Sequence, residues 1–476
     1  MKFTFVKKGE NAKFDYEVRL VEGNKIEGLE DKELLELAGF DKGSATDILS
    51  SRRLYVSVKN FEADTLRLAM AKALAALKGH DVKTVMISAD EELCEKRIAA
   101  IAEGVELSSY KFDKYKSEKK EETLEEVLVS TGGNGGEAFD RALEEGRLLA
   151  DATNYVRDIV NEMPQIYTPA KMAEDAEALA KEYDSVTCEV FGKEYLKKEN
   201  MNAFLAVNQS SPNEPKLIHL TYKPSGEAKG KIAYVGKGLT YDSGGLSLKT
   251  GGGMLHMKSD KGGASAALGI IKAAASLGLP FEVHSVLGCT ENMIGADAYK
   301  PDDILKSREG VTIEVNNTDA EGRLVLSDCL SWTQDYVKPD YMIDMATLTG
   351  ACIAGLGDYT TGVMGNNFDL QLKFKRYAEK SGELLSVLEF NDYLGKLIES
   401  DIADVRNSVP GGSGGAITAG MFLDKFVKDE YKDKWLHLDI AGPAFTTSAY
   451  GNNPVGATGA AVRSNIYFMK ALAEEK

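Results

Sequence analysis

Lys231-Ile-Ala-Tyr-Val-Gly-Lys-Gly-Leu-Thr-Tyr-Asp-Ser-Gly-Gly245 is the stretch on which the fold turns. Lys231 to Val235 reads as a strand, closely spaced glycines follow, and an acid, Asp242, stands beyond them. Downstream, Ala264 to Ser276 carries a helical pattern, and Phe281-Glu-Val-His-Ser-Val286 is again a strand. Lys216-Leu-Ile-His-Leu-Thr-Tyr222, Val311-Thr-Ile-Glu-Val315 and Tyr341-Met-Ile-Asp344 are further strand candidates, with a helical pattern from Arg323 to Tyr336 between the last two. This alternation predicts an α/β fold, a central mixed sheet flanked by helices. In such sheets the ligand site lies outside the carboxyl ends of the strands.

Working back toward the N-terminus, Leu54-Tyr-Val-Ser-Val58 and Thr84-Val-Met-Ile-Ser88 read as strands, and Ala63 to Leu77 as a helix between them. A charged run, Lys114 to Glu122, and the glycine-dense Thr131-Gly-Gly-Asn-Gly-Gly136 then interrupt the pattern. Glycines so close together cannot hold a regular element cheaply, which places a domain junction there. A helical pattern from Glu137 to Met163 stops at Pro164. The expected organisation is a smaller N-terminal α/β domain over 1–135, a connecting helix over 136–165 and a larger catalytic α/β domain over 166–476.

The net charge of −17 opposes nucleic acid and anionic membranes as partners, because no acid-free Lys/Arg block gathers the positive charge into a patch. Five cysteines (Cys94, Cys188, Cys289, Cys329 and Cys352) show no CxxC spacing. That opposes a disulfide framework or a thiolate zinc site and suits a reducing, cytoplasmic setting. The start, Met1 to Phe14, offers only Phe3-Thr-Phe-Val6 as an apolar run, too short for a signal peptide or a membrane span.

Histidine does not carry the chemistry. His80, His219, His256, His284 and His437 show no metal-pair spacing and no HExxH, and each reads as structural. Carboxylates recur where strands end: Asp242, Asp260 before Gly262-Gly263, and Asp319 and Glu321 in Asn317-Thr-Asp-Ala-Glu-Gly-Arg-Leu324. In an extended stretch, residues two apart face the same way, so Asp319 and Glu321 can reach one centre. Gly238, Gly244, Gly245 and Gly322 let backbone pass close to a ligand. Singly, each acid reads as a helix cap or a surface group. Four converging acids repel one another unless cations compensate. Two divalent ions balance them, and carboxylate oxygens favour Mg2+, Mn2+ or Zn2+.

Asn317-Thr-Asp-Ala-Glu-Gly-Arg-Leu324 resembles the signature of the leucyl aminopeptidase family, and so does Val235-Gly-Lys-Gly-x-Thr-x-Asp-Ser-Gly-Gly-x-Ser-x-Lys249. Ala346-Thr-Leu-Thr-Gly-Ala351, Trp435-Leu-His-Leu-Asp-Ile-Ala-Gly442 and Gly456-Ala-Thr-Gly459 agree, so the likeness covers the chain after about Asn154. The resemblance implies a dinuclear aminopeptidase that removes a leucine-like N-terminal residue from peptides with a free N-terminus. It implies Lys237, Asp242, Asp260 and Glu321 around a tighter metal ion. Asp242, Asp319 (also through its carbonyl) and Glu321 would surround a more exchangeable one. The ions implied are Mn2+ or Zn2+, with Mg2+ or Co2+ as alternatives in one position. Lys249 and Arg323 are implied as the non-ligand catalytic residues, with a bicarbonate beside Arg323 acting as general base. The substrate's α-amine would meet Asp260 and its carbonyl Lys249, while Met257, Thr347, Gly350 and Ala444 would line the side-chain pocket. A homo-hexamer is implied as well.

A lysine ligand must be neutral. Moving Lys237 from about 10.4 to below 7 costs more than about 4 kcal/mol at roughly 1.36 kcal/mol per unit, and burial beside a divalent cation pushes it that way. Several positions depart from the family pattern: Lys261 stands where an apolar residue is usual, Gly251-Gly252-Gly253 is unusually flexible, and Asp302 stands where glycine is common. The rival readings are a two-metal phosphohydrolase and a non-catalytic interaction or DNA-binding protein on the same fold. The first lacks a GxxxxGK[ST] loop; the second is opposed by the acidity and by five filled ligand positions.

Overall fold

A computed structural model describes residues 1–7, 10–89, 91–119, 123–131 and 135–475. Most of the glycine run taken as the junction, residues 132–134, lies outside the described residues, as do residues 120–122 of the charged run. The chain forms two compact units, Met1–Asn154 with Ser448–Pro454, and Tyr155–Thr447 with Val455–Lys476. The division falls inside the helix Glu137–Asn161, whose residues are shared between the two units. The return of Ser448–Pro454 to the first unit was not expected from the sequence.

The first unit holds a six-stranded sheet of β1 (Lys2–Val6), β2 (Tyr16–Glu22), β3 (Ala45–Ile48), β4 (Arg53–Val58), β5 (Thr84–Ala89) and β6 (Glu126–Ser130). Its order is β1-β6-β5-β2-β4-β3, parallel except for the β3 edge. The helices Ala63–Ala76 and Glu95–Ser109 pack closely: a β-carbon added to Gly104 would stand 2.8 Å from the Arg67 backbone. The buried Asn452, from the returning segment, donates to the carbonyls of Arg67 (2.8 Å) and Gly104 (3.3 Å) at this crossing.

The second unit contains β7 (Val186–Phe191), β8 (Lys216–Tyr222), β9 (Lys231–Asp242), β10 (Glu282–Asn292), β11 (Ile304–Lys306), β12 (Thr312–Glu314), β13 (Tyr341–Ala346), β14 (Thr360–Met364), β15 (Leu384–Val387), β16 (Val405–Arg406) and β17 (Trp435–Asp439). Its main sheet runs β15-β14-β17-β13-β9-β10-β8-β7; β11, β12 and β16 form a small one. The four central strands β17, β13, β9 and β10 are mutually parallel, and antiparallel strands flank them. Their carboxyl ends therefore meet on one edge, where Asp242 pairs with Asn292 and Ala346 with Asp439.

Successive residues of a strand face opposite sides, and β9 shows what covers each. A β-carbon on Gly236 would stand 2.5 Å from Ala264 Cα, so the helix Gly262–Leu277 lies against that face. Lys237 faces the other way, against the start of the helix Gly322–Tyr336. Val235, Val286, Leu324, Met342 and Trp435 share one buried core there. Each large apolar side chain so buried contributes about 1.5–3 kcal/mol, which fixes the strand ends as a rigid base. Among the described residues, no helix is long and apolar enough to cross a membrane.

Candidate metal centre

Three elements converge on the carboxyl edge of the sheet. β9 carries Lys237 within it and Asp242 as its last residue. A short 3-10 turn, Met257–Lys261, carries Asp260 into the buried start of the next helix. The turn between β12 and the helix Gly322–Tyr336 carries Asp319 and Glu321. Asp319 and Glu321 were expected to share a face of an extended stretch. Instead residues 318 and 319 lie in a turn and Glu321 has helical dihedrals. The Asn317 side chain closes this turn by accepting from the Asp319 N–H at 2.8 Å. The two acids still converge, by tight turning.

Asp242, Asp319 and Glu321 each bring a carboxylate oxygen within 4.8 Å of the other two. Lys249 Nζ lies 2.8 Å from Asp242 Oδ2 and 2.5 Å from Asp319 Oδ1. On the other side Lys237 Nζ lies 2.8 Å from Asp260 Oδ1 and 2.9 Å from Glu321 Oε1, and donates to the Thr347 carbonyl at 3.0 Å. The Thr347 hydroxyl donates to Asp260 Oδ1 at 2.7 Å. Gly322 makes room for this, because a β-carbon there would stand 2.4 Å from Lys237 Cε.

The electrostatics show how crowded the acids are. Burial, then Asp242 and Glu321, push the Asp319 carboxyl up to about 7. Burial also raises Asp260 and Glu321, aided by the neighbouring acids and opposed by Lys237. Burial alone would lower Lys237, yet Asp260, Glu321 and Asp242 outweigh it and keep the ammonium charged. Lys249 is likewise raised by Asp242 and Glu321 against its own desolvation. The two ammonium groups thus leave four acids only half compensated. Asp260 Oδ2 and Glu321 Oε2 are buried and, among the described residues, accept no hydrogen bond. An oxygen-rich, under-compensated cluster with orphaned acceptors fits hard divalent cations.

Arg323 stands in the first turn of its helix. Its Nη1 donates to the Asn407 carbonyl at 2.7 Å, its buried Nε makes no hydrogen bond among the described residues, and burial, opposed by Glu321 and Asp439, lowers it to about 10. Of the four residues expected to line a side-chain pocket, Thr347 and Ala444 stand together. A β-carbon on Gly262 would touch the γ-methyl of Thr347 at 3.3 Å and the β-carbon of Ala444 at 3.4 Å. Met257 begins the turn that carries Asp260, and Gly350, opening the helix Gly350–Leu356, faces open space. Lys261 is buried, donates to the Lys258 carbonyl at 2.6 Å and lies 5.1 Å from the Tyr167 ring centroid. Asp302 has φ +76°, a left-handed conformation that glycine adopts more readily than aspartate.

Sequence reasoning missed the amides around the acids. Asn292 Nδ2 donates to Asp242 Oδ1 at 2.8 Å and to the Thr318 carbonyl at 3.0 Å. Asn407 grips the acidic turn from its other flank. The signal available for Asn292 was its place at the carboxyl end of a central strand. For Asn407 it was the Pro410-Gly-Gly-Ser-Gly-Gly415 loop just beyond.

Residues 154–466 match the catalytic domain of the Cytosol aminopeptidase family, and residues 57–119 match that family's N-terminal domain. A probable cytosol aminopeptidase of Campylobacter jejuni is 51% identical over 470 residues, covering 97% of each chain. Another, from Aquifex aeolicus, is 42% identical over 92% of this chain and 90% of its own. Among solved structures, a mutant of tomato leucine aminopeptidase superposes with a TM-score of 0.88 at 31% identity, covering 98% of this chain and 96% of its own. The bottromycin maturation enzyme BotP in complex with Mn superposes with a TM-score of 0.86 at 31% identity, covering 96% and 99%.

Proposed function

The chain belongs to the cytosol aminopeptidase family and is a metallo-exopeptidase, and from that premise we propose that it removes an apolar, leucine-like N-terminal residue from peptides at a two-metal centre. One observation carries this reading: Glu321 is shared between two adjoining clusters, Lys237 with Asp260 on one side and Asp242 with Asp319 on the other. Lys237, Asp242, Asp260 and Glu321 would hold the tighter ion, and Asp242, Asp319 and Glu321 the more exchangeable one. Bound there, Mn2+ or Zn2+ supplies an acidified water and polarises the scissile carbonyl.

The chain's own residues do the rest. Asp260, its Oδ1 fixed by Thr347 and Lys237, receives the substrate's free α-amine and so confines cleavage to chain ends. Lys249, held between two acids, is the fixed cation that steadies the developing oxyanion. Arg323, at a helix start with a free guanidinium edge, would hold an anion such as bicarbonate. Thr347 and Ala444 flank the place of the first side chain, with Met257 and Gly350 completing its walls. Lys237 must surrender its proton to serve as a ligand, which a more highly charged cation in the same place makes favourable.

Metal analysis paired with hydrolysis of aminoacyl amides tests the proposal. The expected result is two Mn2+ or Zn2+ per chain, with leucine amide cleavage lost on chelation and restored by metal. Undiminished cleavage after complete metal removal, or equal cleavage of N-acetylated peptides, would overturn it. The cytosolic naming of the relatives supports a cytoplasmic location, and a hexamer is the assembly we assign.

A further inference from the structure

Asn407 is fully buried just beyond β16, and among the described residues its side chain bonds to the turn that carries Asp319 and Glu321. Its Oδ1 accepts from the backbone N–H groups of Asn316 (2.8 Å) and Asn317 (3.3 Å). Its Nδ2 donates to the carbonyls of Asn317 (2.7 Å) and Ala320 (3.4 Å). Its backbone belongs to the same arrangement: the N–H donates to the Glu314 carbonyl at 2.9 Å, and the carbonyl takes Arg323 Nη1 at 2.7 Å. From the opposite flank Asn292 and Tyr299 donate to the Thr318 carbonyl at 3.0 and 2.7 Å. The carbonyls of residues 317, 318 and 320 are therefore all engaged. Among the described residues, that of Asp319 between them accepts no hydrogen bond.

A primary amide is suited to this task because it offers a donor pair and an acceptor in one rigid plane. It grips irregular backbone as a neighbouring strand would grip a regular one. The turn needs such a hold, since Asp319 and Glu321 are pressed against Asp242 and like charges drive them apart. We infer that Asn407 is a positioning residue: it clamps the turn 316–321 against the Arg323 anchor, so that the carboxylate and carbonyl of Asp319 are presented together to the exchangeable metal ion. The inference rests on the two-metal reading above and adds to it a residue that touches neither ion nor substrate.

The test is a calorimetric titration of the metal-free protein with Mn2+, comparing wild type, Asn407→Ala and Asn407→Asp, with secondary structure followed by circular dichroism. For Asn407→Ala the weaker of the two Mn2+ equivalents should lose about 10-fold or more in affinity while the tighter changes by less than about 3-fold. Leucine amide turnover should fall at stoichiometric Mn2+ and recover in excess. Asn407→Asp keeps the shape and the acceptor but turns an oxygen toward the Asn317 and Ala320 carbonyls. It should weaken the same equivalent, although its added negative charge alone would tighten a cation. Should Asn407→Ala fail to fold, the isosteric variant carries the test. Unchanged Mn2+ affinities, equal weakening of both equivalents, or tighter binding by Asn407→Asp would overturn the inference. A wild-type protein binding fewer than two Mn2+ would overturn the two-metal reading itself, before any variant is compared.

Discussion

Lys237 and Gly322 show how far a single atom decides this site. The lysine stem lies where a β-carbon on Gly322 would have to be, with Nζ itself 2.6 Å from that point. Gly322→Ala should displace Lys237 from Asp260 and Glu321 and lower the affinity of the tighter ion by about 10-fold or more, read by Mn2+ titration with an unchanged circular dichroism spectrum. Asp319→Ala and Glu321→Ala should abolish leucine amide hydrolysis in a folded protein; wild-type rates in either would refute the assigned centre. Lys249→Ala should lower kcat by about 10²–10³-fold with metal content retained, and loss of metal would show that the lysine organises Asp242 and Asp319 instead. The four acids stood out because carboxylates recur where the strands end, whereas Lys237 and Lys249 were singled out only through the family resemblance, since a lysine read alone passes for a surface group. Asn292 and Asn407 were not legible, since a buried amide acts on backbone that only folding brings near.

At the scale of elements, the strands were readable and their lengths were not. Lys216–Tyr222 appears with the expected bounds, whereas β9 runs on through Gly236 and Gly238 to Asp242, and β10 reaches Asn292. Glycine weakens a strand interior, but here Gly236 continues one because the helix Gly262–Leu277 packs too close for a β-carbon. Packing overrode local preference, and it moved Lys237 and Asp242 from an expected loop onto rigid strand. The β8–β10 pairing carries a different device. His219 and His284 meet at 2.9 Å on β8 and β10, flanked by Glu189 and Glu282. Burial lowers His284 to about 4, opposed by Glu282 and aided by His219. Below pH 6.5 the unfolded chain takes a proton that the folded chain refuses, so this stability is present above pH 6.5 and drains away toward pH 4. His284→Gln should therefore lose less melting temperature between pH 7 and pH 5 than wild type; an equal loss would place the acid sensitivity elsewhere.

For the whole molecule, divalent ions that bind only the folded chain must stabilise it. At one hundred times Kd the gain is about 2.7 kcal/mol per site, so chelation should lower the melting temperature and Mn2+ should restore it, as calorimetry would record. Light scattering should give six chains per particle; a monomer would contradict the assigned assembly. The sequence announced two α/β bodies through their rhythm and the interruption between them, but not the boundary inside a continuous helix. Nor could it disclose the return of Ser448–Pro454, because Asn452 has no local pattern and acquires its role only at the crossing of two distant helices.

That return has a bearing on ancestry and engineering. The polypeptide passes between the two bodies three times, at Asn154/Tyr155, Thr447/Ser448 and Pro454/Val455. The first body is thus built from two separate stretches of the chain. Swapping the leading 154 residues for a foreign module would strand a seven-residue tongue without its socket, so the pair is expected to be inherited, expressed and lost as one piece.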